Sequence, residues 1–98
     1  MKYKAVYLPE AREDAEEIRH YLSQYYENTA KRFFILLKKR IEAIKANPFL
    51  APLYIERPPY RRLVVGDYLV FYIVNEDNGL IEIHRVLHGS RDIGRYLR

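Results

Sequence analysis

The chain has 98 residues, 49% of them hydrophobic, no cysteine and a formal net charge of +4. That length implies one domain (residues 1–98), with a core near the lower limit of comfortable stability. The absence of cysteine excludes disulfides and thiolate metal sites and suits a reducing cytoplasm. No run of about 18 apolar residues is present, so no transmembrane helix and no membrane role are expected. The opening MKYKAVYLPEARED lacks the apolar core of a secretory signal.

The basic residues are unevenly distributed. All six lysines lie at or before Lys45, and from Arg57 onward the seven basic residues are all arginine. Arginine's planar fork pairs bidentately with phosphate or carboxylate. Its stem also packs on sheet surfaces, so the pattern alone does not choose between binding and structure.

In chain order, Lys2–Leu8 alternates loosely and reads as a first strand, with Tyr3, Ala5 and Tyr7 on one side. Pro9 ends it and suits the first turn of a helix, where its missing N–H costs nothing. Glu10, Glu13 and Asp14 follow with the charge that a helix N-terminus favours. From Glu10 to about Tyr26, Ala11, Ala15, Ile18, Leu22 and Tyr25 recur on one helical face, with Glu13, Glu16, Glu17 and Arg19 opposite. Asn28 or Thr29 is placed to cap a second helix, from about Ala30 to Ala46. Its stripe is Ala30, Phe33, Phe34, Leu37, Ile41 and Ile44, and Asn47-Pro48 stops it. An acidic helix followed by a basic one predicts an αα-hairpin with complementary outer charges. Phe49–Pro59 is a proline-rich loop, expected to be anchored by Phe49, Leu53, Tyr54 and Ile55.

Three strand-like runs follow. Tyr60–Val65 and Tyr68–Val74 flank Gly66-Asp67, a tight-hairpin signal. Leu80–Leu87 follows Asn78-Gly79, residues that tolerate positive φ. The middle run is apolar or aromatic throughout and reads as a central strand covered on both sides. Ser90 is placed to cap a short C-terminal helix through about Tyr96. The order β-α-α-β-β-β predicts an α+β fold, a helical hairpin packed on a mainly antiparallel four-stranded sheet.

Several chemistries are excluded. His84 and His88 share strand parity about 13 Å apart, too far to ligate one ion, and His20 lies on the first helix. There is no glycine-rich phosphate loop. Neither Ser23 nor Ser90 sits in a nucleophile elbow. No metal and no cofactor are expected. What remains is a basic-aromatic set: Arg61, Arg62, His84, Arg85, His88, Arg91, Arg95 and Tyr96. Alternation puts Arg62 with Tyr60 and Arg61 with Leu63. It puts Arg85 with Ile81, Ile83 and Leu87, where a covered guanidinium needs a carboxylate; Glu56, Glu82 and Asp92 are the candidates. Such a cluster can neutralise a phosphate and move protons during 2′-hydroxyl attack. It equally suits a structural network at the end of a sheet.

The run YRRLVVGDYLVFYIV followed by IEIHRVLHGSRDI resembles the RelE/ParE superfamily of toxins from type II toxin–antitoxin systems, and the likeness covers nearly the whole chain. The resemblance implies the RelE/ParE toxin fold and a cognate antitoxin, encoded by the adjacent gene, that wraps the toxin and silences it. The apolar faces not covered by the helical hairpin are then the expected landing site. ParE-like members inhibit DNA gyrase, whereas RelE-like members cut mRNA on the ribosome without a metal. The mRNA-cleaving members tend to carry an arginine where this chain has Leu69, and the central strand and RVLHGSRD ending look ParE-like. Arg61 and Arg91 match basic positions of the cleaving members, and Tyr96 lies close to their C-terminal tyrosine. Gyrase inhibition is therefore the first expectation, with Arg61, Arg62, Arg91 and Arg95 as contacts to a target or nucleic acid. The alternative is a ribosome-dependent endoribonuclease using Arg61, Arg85, Arg91, His84, His88 and Tyr96. A degenerate homologue kept for antitoxin binding stays open, as does the choice between a homodimer and a toxin–antitoxin hetero-oligomer.

Overall fold

The structure, a computed structural model, describes residues 2–26 and 28–97. The elements are β1 (Lys4–Tyr7), α1 (Pro9–Ser23), α2 (Thr29–Ala46), β2 (Arg61–Val65), β3 (Tyr68–Asn75), β4 (Leu80–His88) and a 3₁₀ turn, Ile93–Arg95. The sheet order is β1-β4-β3-β2. β1 runs parallel to β4, and the other two pairings are antiparallel. Gly66 turns the β2–β3 hairpin at φ 59°, in the left-handed region that glycine enters without strain.

The helical hairpin covers one face of the sheet. Ala11 and Ile18 of α1 and Phe33, Leu37, Ile41 and Ile44 of α2 bury against Leu63, Val65, Val70, Tyr72, Ile81, Ile83 and Val86. Each large side chain removed from water here contributes roughly 1.5–3 kcal/mol. Inside this core the Tyr72 hydroxyl donates to the Pro48 carbonyl at 2.7 Å, which ties the end of α2 to the sheet.

The other face is covered too. Tyr60, Phe71, Leu87 and Leu97 form a second buried cluster, with Tyr54, Ile93 and Tyr96 packed on it. The proline-rich loop and the C-terminal turn therefore close over β3, which is covered on both sides. Arg57 fastens the turn by donating to the carbonyls of Leu97 (2.8 Å) and Gly94 (3.1 Å). The reading of the middle run as a central strand covered on both sides holds, and the second cover comes from the chain's own loop and C-terminal turn.

Four expectations are corrected. Helix α1 ends at Ser23, and Tyr25, assigned to its apolar face, is exposed. The loop is not anchored by Phe49, Leu53 and Ile55, which are exposed. Backbone bonds hold it instead, from Arg62 N to Pro52 O and from Tyr54 N to Tyr60 O, with Ala51 buried. Ser90 caps no helix: the C-terminal element is a single 3₁₀ turn, and Ser90 engages His88. Among the described residues no ion pair joins the outer faces of the two helices; the basic side chain in contact across the hairpin is Arg19, over the Phe34 ring at 4.1 Å.

Candidate functional site: a groove beside the exit of β4

A bulge sets the geometry. Phe71 pairs with Arg85 and Tyr72 with Ile83, which leaves His84 as the extra residue. The extra residue reverses side-chain parity. Ile81, Ile83 and Val86 thus all reach the helix-side core, and Arg85 does not share their face as simple alternation predicts.

β1 stops opposite Ile83, so β4 beyond that point has a free edge. Helix α1 closes it with Asp14, a buried carboxylate (7% exposed). Its oxygens accept from Arg85 Nε and Nη2, both at 2.8 Å, and from the Val86 backbone N–H at 2.9 Å. Arg85 Nη1 donates to the Tyr96 carbonyl at 3.2 Å and lies 3.5 Å from Glu10. This bidentate bond, with the Asp14 and Glu10 charges, raises the Arg85 pKa further above its ordinary value. The partner of Arg85 is thus none of Glu56, Glu82 and Asp92. Reading Asp14 only as a favourable charge near a helix N-terminus missed its role. The signal was present: Asp14 falls three residues after Ala11 and four before Ile18, on the buried stripe, where a carboxylate requires a cation.

Beside this clasp lies a groove of about 690 Å³, with Glu13, Glu17 and Tyr21 of α1 on one wall and Tyr68, His88, Arg91 and Tyr96 on the other. Arg91 donates to the Tyr96 hydroxyl at 2.9 Å. His88 Nδ1 accepts from the Ser90 N–H at 3.1 Å and lies 2.7 Å from its hydroxyl, so the neutral ring carries its proton on Nε2. The imidazole stands edge-on to Tyr68, ring centroids 5.2 Å apart. Burial raises the Tyr68 phenol above its usual pKa.

Of the sequence-derived set, Arg85, His88, Arg91 and Tyr96 come together here. His84 packs against Tyr60 instead, with Nδ1 3.4 Å from the hydroxyl and Nε2 3.9 Å from Glu82. Burial lowers its pKa. Arg61 sits two strands away, donating to the Ala51 carbonyl at 2.8 Å and lying over Phe49. Arg62 is exposed, over Tyr54, and Arg95 is exposed on the 3₁₀ turn. Among the described residues, the groove therefore offers one guanidinium without a carboxylate partner, Arg91, alongside an imidazole and phenols. It can hold a single anion or polar segment, but Arg85 is already committed.

The family model for the ParE toxin of type II toxin–antitoxin systems, parDE, matches residues 5–93. The chain belongs to this toxin family. Toxin ParE1 of Mycobacterium tuberculosis is 36% identical over 69 residues, 69% of each chain. The fold is that of ParE's RelE relatives. The RelBE toxin–antitoxin complex of E. coli aligns with TM-score 0.64 at 14% identity, over 91% of this chain and 99% of that one. A double arginine-to-alanine mutant of E. coli RelE in the free state aligns at 0.63 and 15%, over 99% and 100%. The RelBE2 complex of M. tuberculosis aligns at 0.60 and 16%, over 90% and 99%. Among the described residues no helix is long and apolar enough to cross a membrane.

Proposed function

We propose that this ParE-family toxin arrests growth by binding DNA gyrase, that it does not cleave RNA, and that an antitoxin encoded beside it neutralises it. The observation that carries the reading is the commitment of Arg85. Each of its three guanidinium nitrogens has a partner: Nε and Nη2 donate to Asp14, and Nη1 donates to the Tyr96 carbonyl beside Glu10. Arg61, another member of the basic set, is bonded to Ala51. The position where RNA-cleaving relatives tend to carry arginine is Leu69. Neutralising a cleaved phosphodiester needs donors aimed at the developing charge, and the groove retains Arg91 alone for that task.

A ribosome-dependent endoribonuclease is the second reading. It is favoured by the meeting of Arg91, His88 and Tyr96 in one groove. Inducing the chain in cells separates the two. Gyrase inhibition gives relaxed or cleaved plasmid with intact mRNA, and co-expression of the adjacent reading frame restores growth. Fragmented, translated mRNA with normal plasmid supercoiling would overturn the first reading in favour of the second.

A further inference from the structure

The outer face of α2 carries an unusual arrangement. Ile35 is 61% exposed at its crest. Its four surface neighbours on a helix, three and four residues before and after, are Arg32, Lys31, Lys38 and Lys39. All four are exposed. Among the described residues none of their side chains takes part in an ion pair, hydrogen bond or ring contact, unlike Arg40, bound to the Val64 carbonyl, and Lys45, paired with Glu42. Among the described residues no carboxylate of α1 forms an ion pair with them. Among the described residues, four cations without an ion-pair partner ring one apolar side chain in a protein of net charge +4, and the nearest carboxylate on this face, Glu42, lies a turn further on beside Lys38 and is paired with Lys45.

We propose that this face of α2 is a docking surface for an acidic segment of a protein partner, with one apolar residue packed on Ile35 and carboxylates set around it. A central apolar contact inside a polar rim is the usual anatomy of an interaction hot spot. The surrounding charge adds partner choice and association rate. The chemistry favours a polypeptide over the other anionic surfaces. A phosphate backbone would leave Ile35 against charge. A lipid surface would gain little from an apolar ridge made of Ile35 and the half-covered Leu36. The proposal does not depend on which cellular target the toxin attacks.

The test uses the full chain and a fluorescein-labelled peptide of about 18 residues, long enough to form a helix. It carries one leucine flanked at three and four residues on each side by glutamate. Anisotropy titrations compare the wild-type chain, Ile35→Ser, and the double variant Lys31→Glu, Lys38→Glu. All of these changes are at exposed positions, and circular dichroism verifies their folding. Binding should weaken roughly tenfold in each variant. Equal binding by wild type and Ile35→Ser overturns the proposal. So does tighter binding of a labelled duplex DNA, or of phosphatidylserine vesicles, that depends on Lys31 and Lys38 but not on Ile35.

Discussion

Replacing Asp14 by alanine is the sharpest probe of how the groove is built. The substitution removes both acceptors of the Arg85 fork and the acceptor of the Val86 N–H. Taking one partner from a buried ion pair costs about 3–5 kcal/mol. Arg85 keeps the Tyr96 carbonyl and the nearby Glu10, and its side chain is 15% exposed, so a share near 2–3 kcal/mol is the better figure. The unpaired Val86 N–H adds about 1 kcal/mol. The sum, about 3–4 kcal/mol, is a large part of the roughly 5–15 kcal/mol that stabilises a domain of this size. The thermal midpoint should fall by roughly 12–32 °C. Asp14→Asn keeps one acceptor and should cost less. Joining Asp14→Leu with Arg85→Met should recover part of the loss, because no lone buried charge remains. Urea unfolding of the single and double variants, followed by circular dichroism, measures all of this. A loss below about 0.5 kcal/mol for Asp14→Ala, the range of an ordinary surface change, would mean that Arg85 is not locked, and the argument against phosphate chemistry would fail with it.

Two further expectations follow from buried groups. Tyr72→Phe leaves the Pro48 carbonyl without its donor and should cost about 1–2 kcal/mol in the same unfolding assay; no change would remove this bond from the core's account. His84 titrates below its ordinary value because burial disfavours its charged form, although Glu82 and Glu10 pull the other way and Tyr60 lies against the ring. Below about pH 6.5 the unfolded chain takes up a proton that the folded ring resists, so this contribution to stability is present above that pH and is lost as pH falls through the folded pKa. His84→Gln should flatten that part of the stability–pH curve, and an unchanged slope would assign it to other groups.

The elements and their order were legible because their signals are local: periodic stripes on two helices, Pro9 at a helix start, Gly66-Asp67 between two β-rich runs. The site was legible only in part. His88 ends β4 and Arg91 and Tyr96 follow it closely in the chain, so their meeting needs little tertiary information. Arg85's partner did not emerge, because Asp14 is distant in sequence and the bulge at His84 breaks the alternation from which its face was inferred. What covers the second sheet face was hidden for a similar reason. It depends on Arg57 gripping carbonyls of the C-terminal turn, a contact between segments with no periodic pattern of their own. The loop's apolar residues suggested burial, whereas backbone hydrogen bonds to β2 do the anchoring.

The reading of this ParE-family toxin as a gyrase-directed binder is tested most directly by titrating the purified chain into DNA gyrase with relaxed plasmid and ATP. Supercoiling should be blocked, or cleaved plasmid trapped, as the chain approaches stoichiometry with the enzyme, and the antitoxin should reverse the effect. Full supercoiling at a large molar excess of folded chain would contradict it.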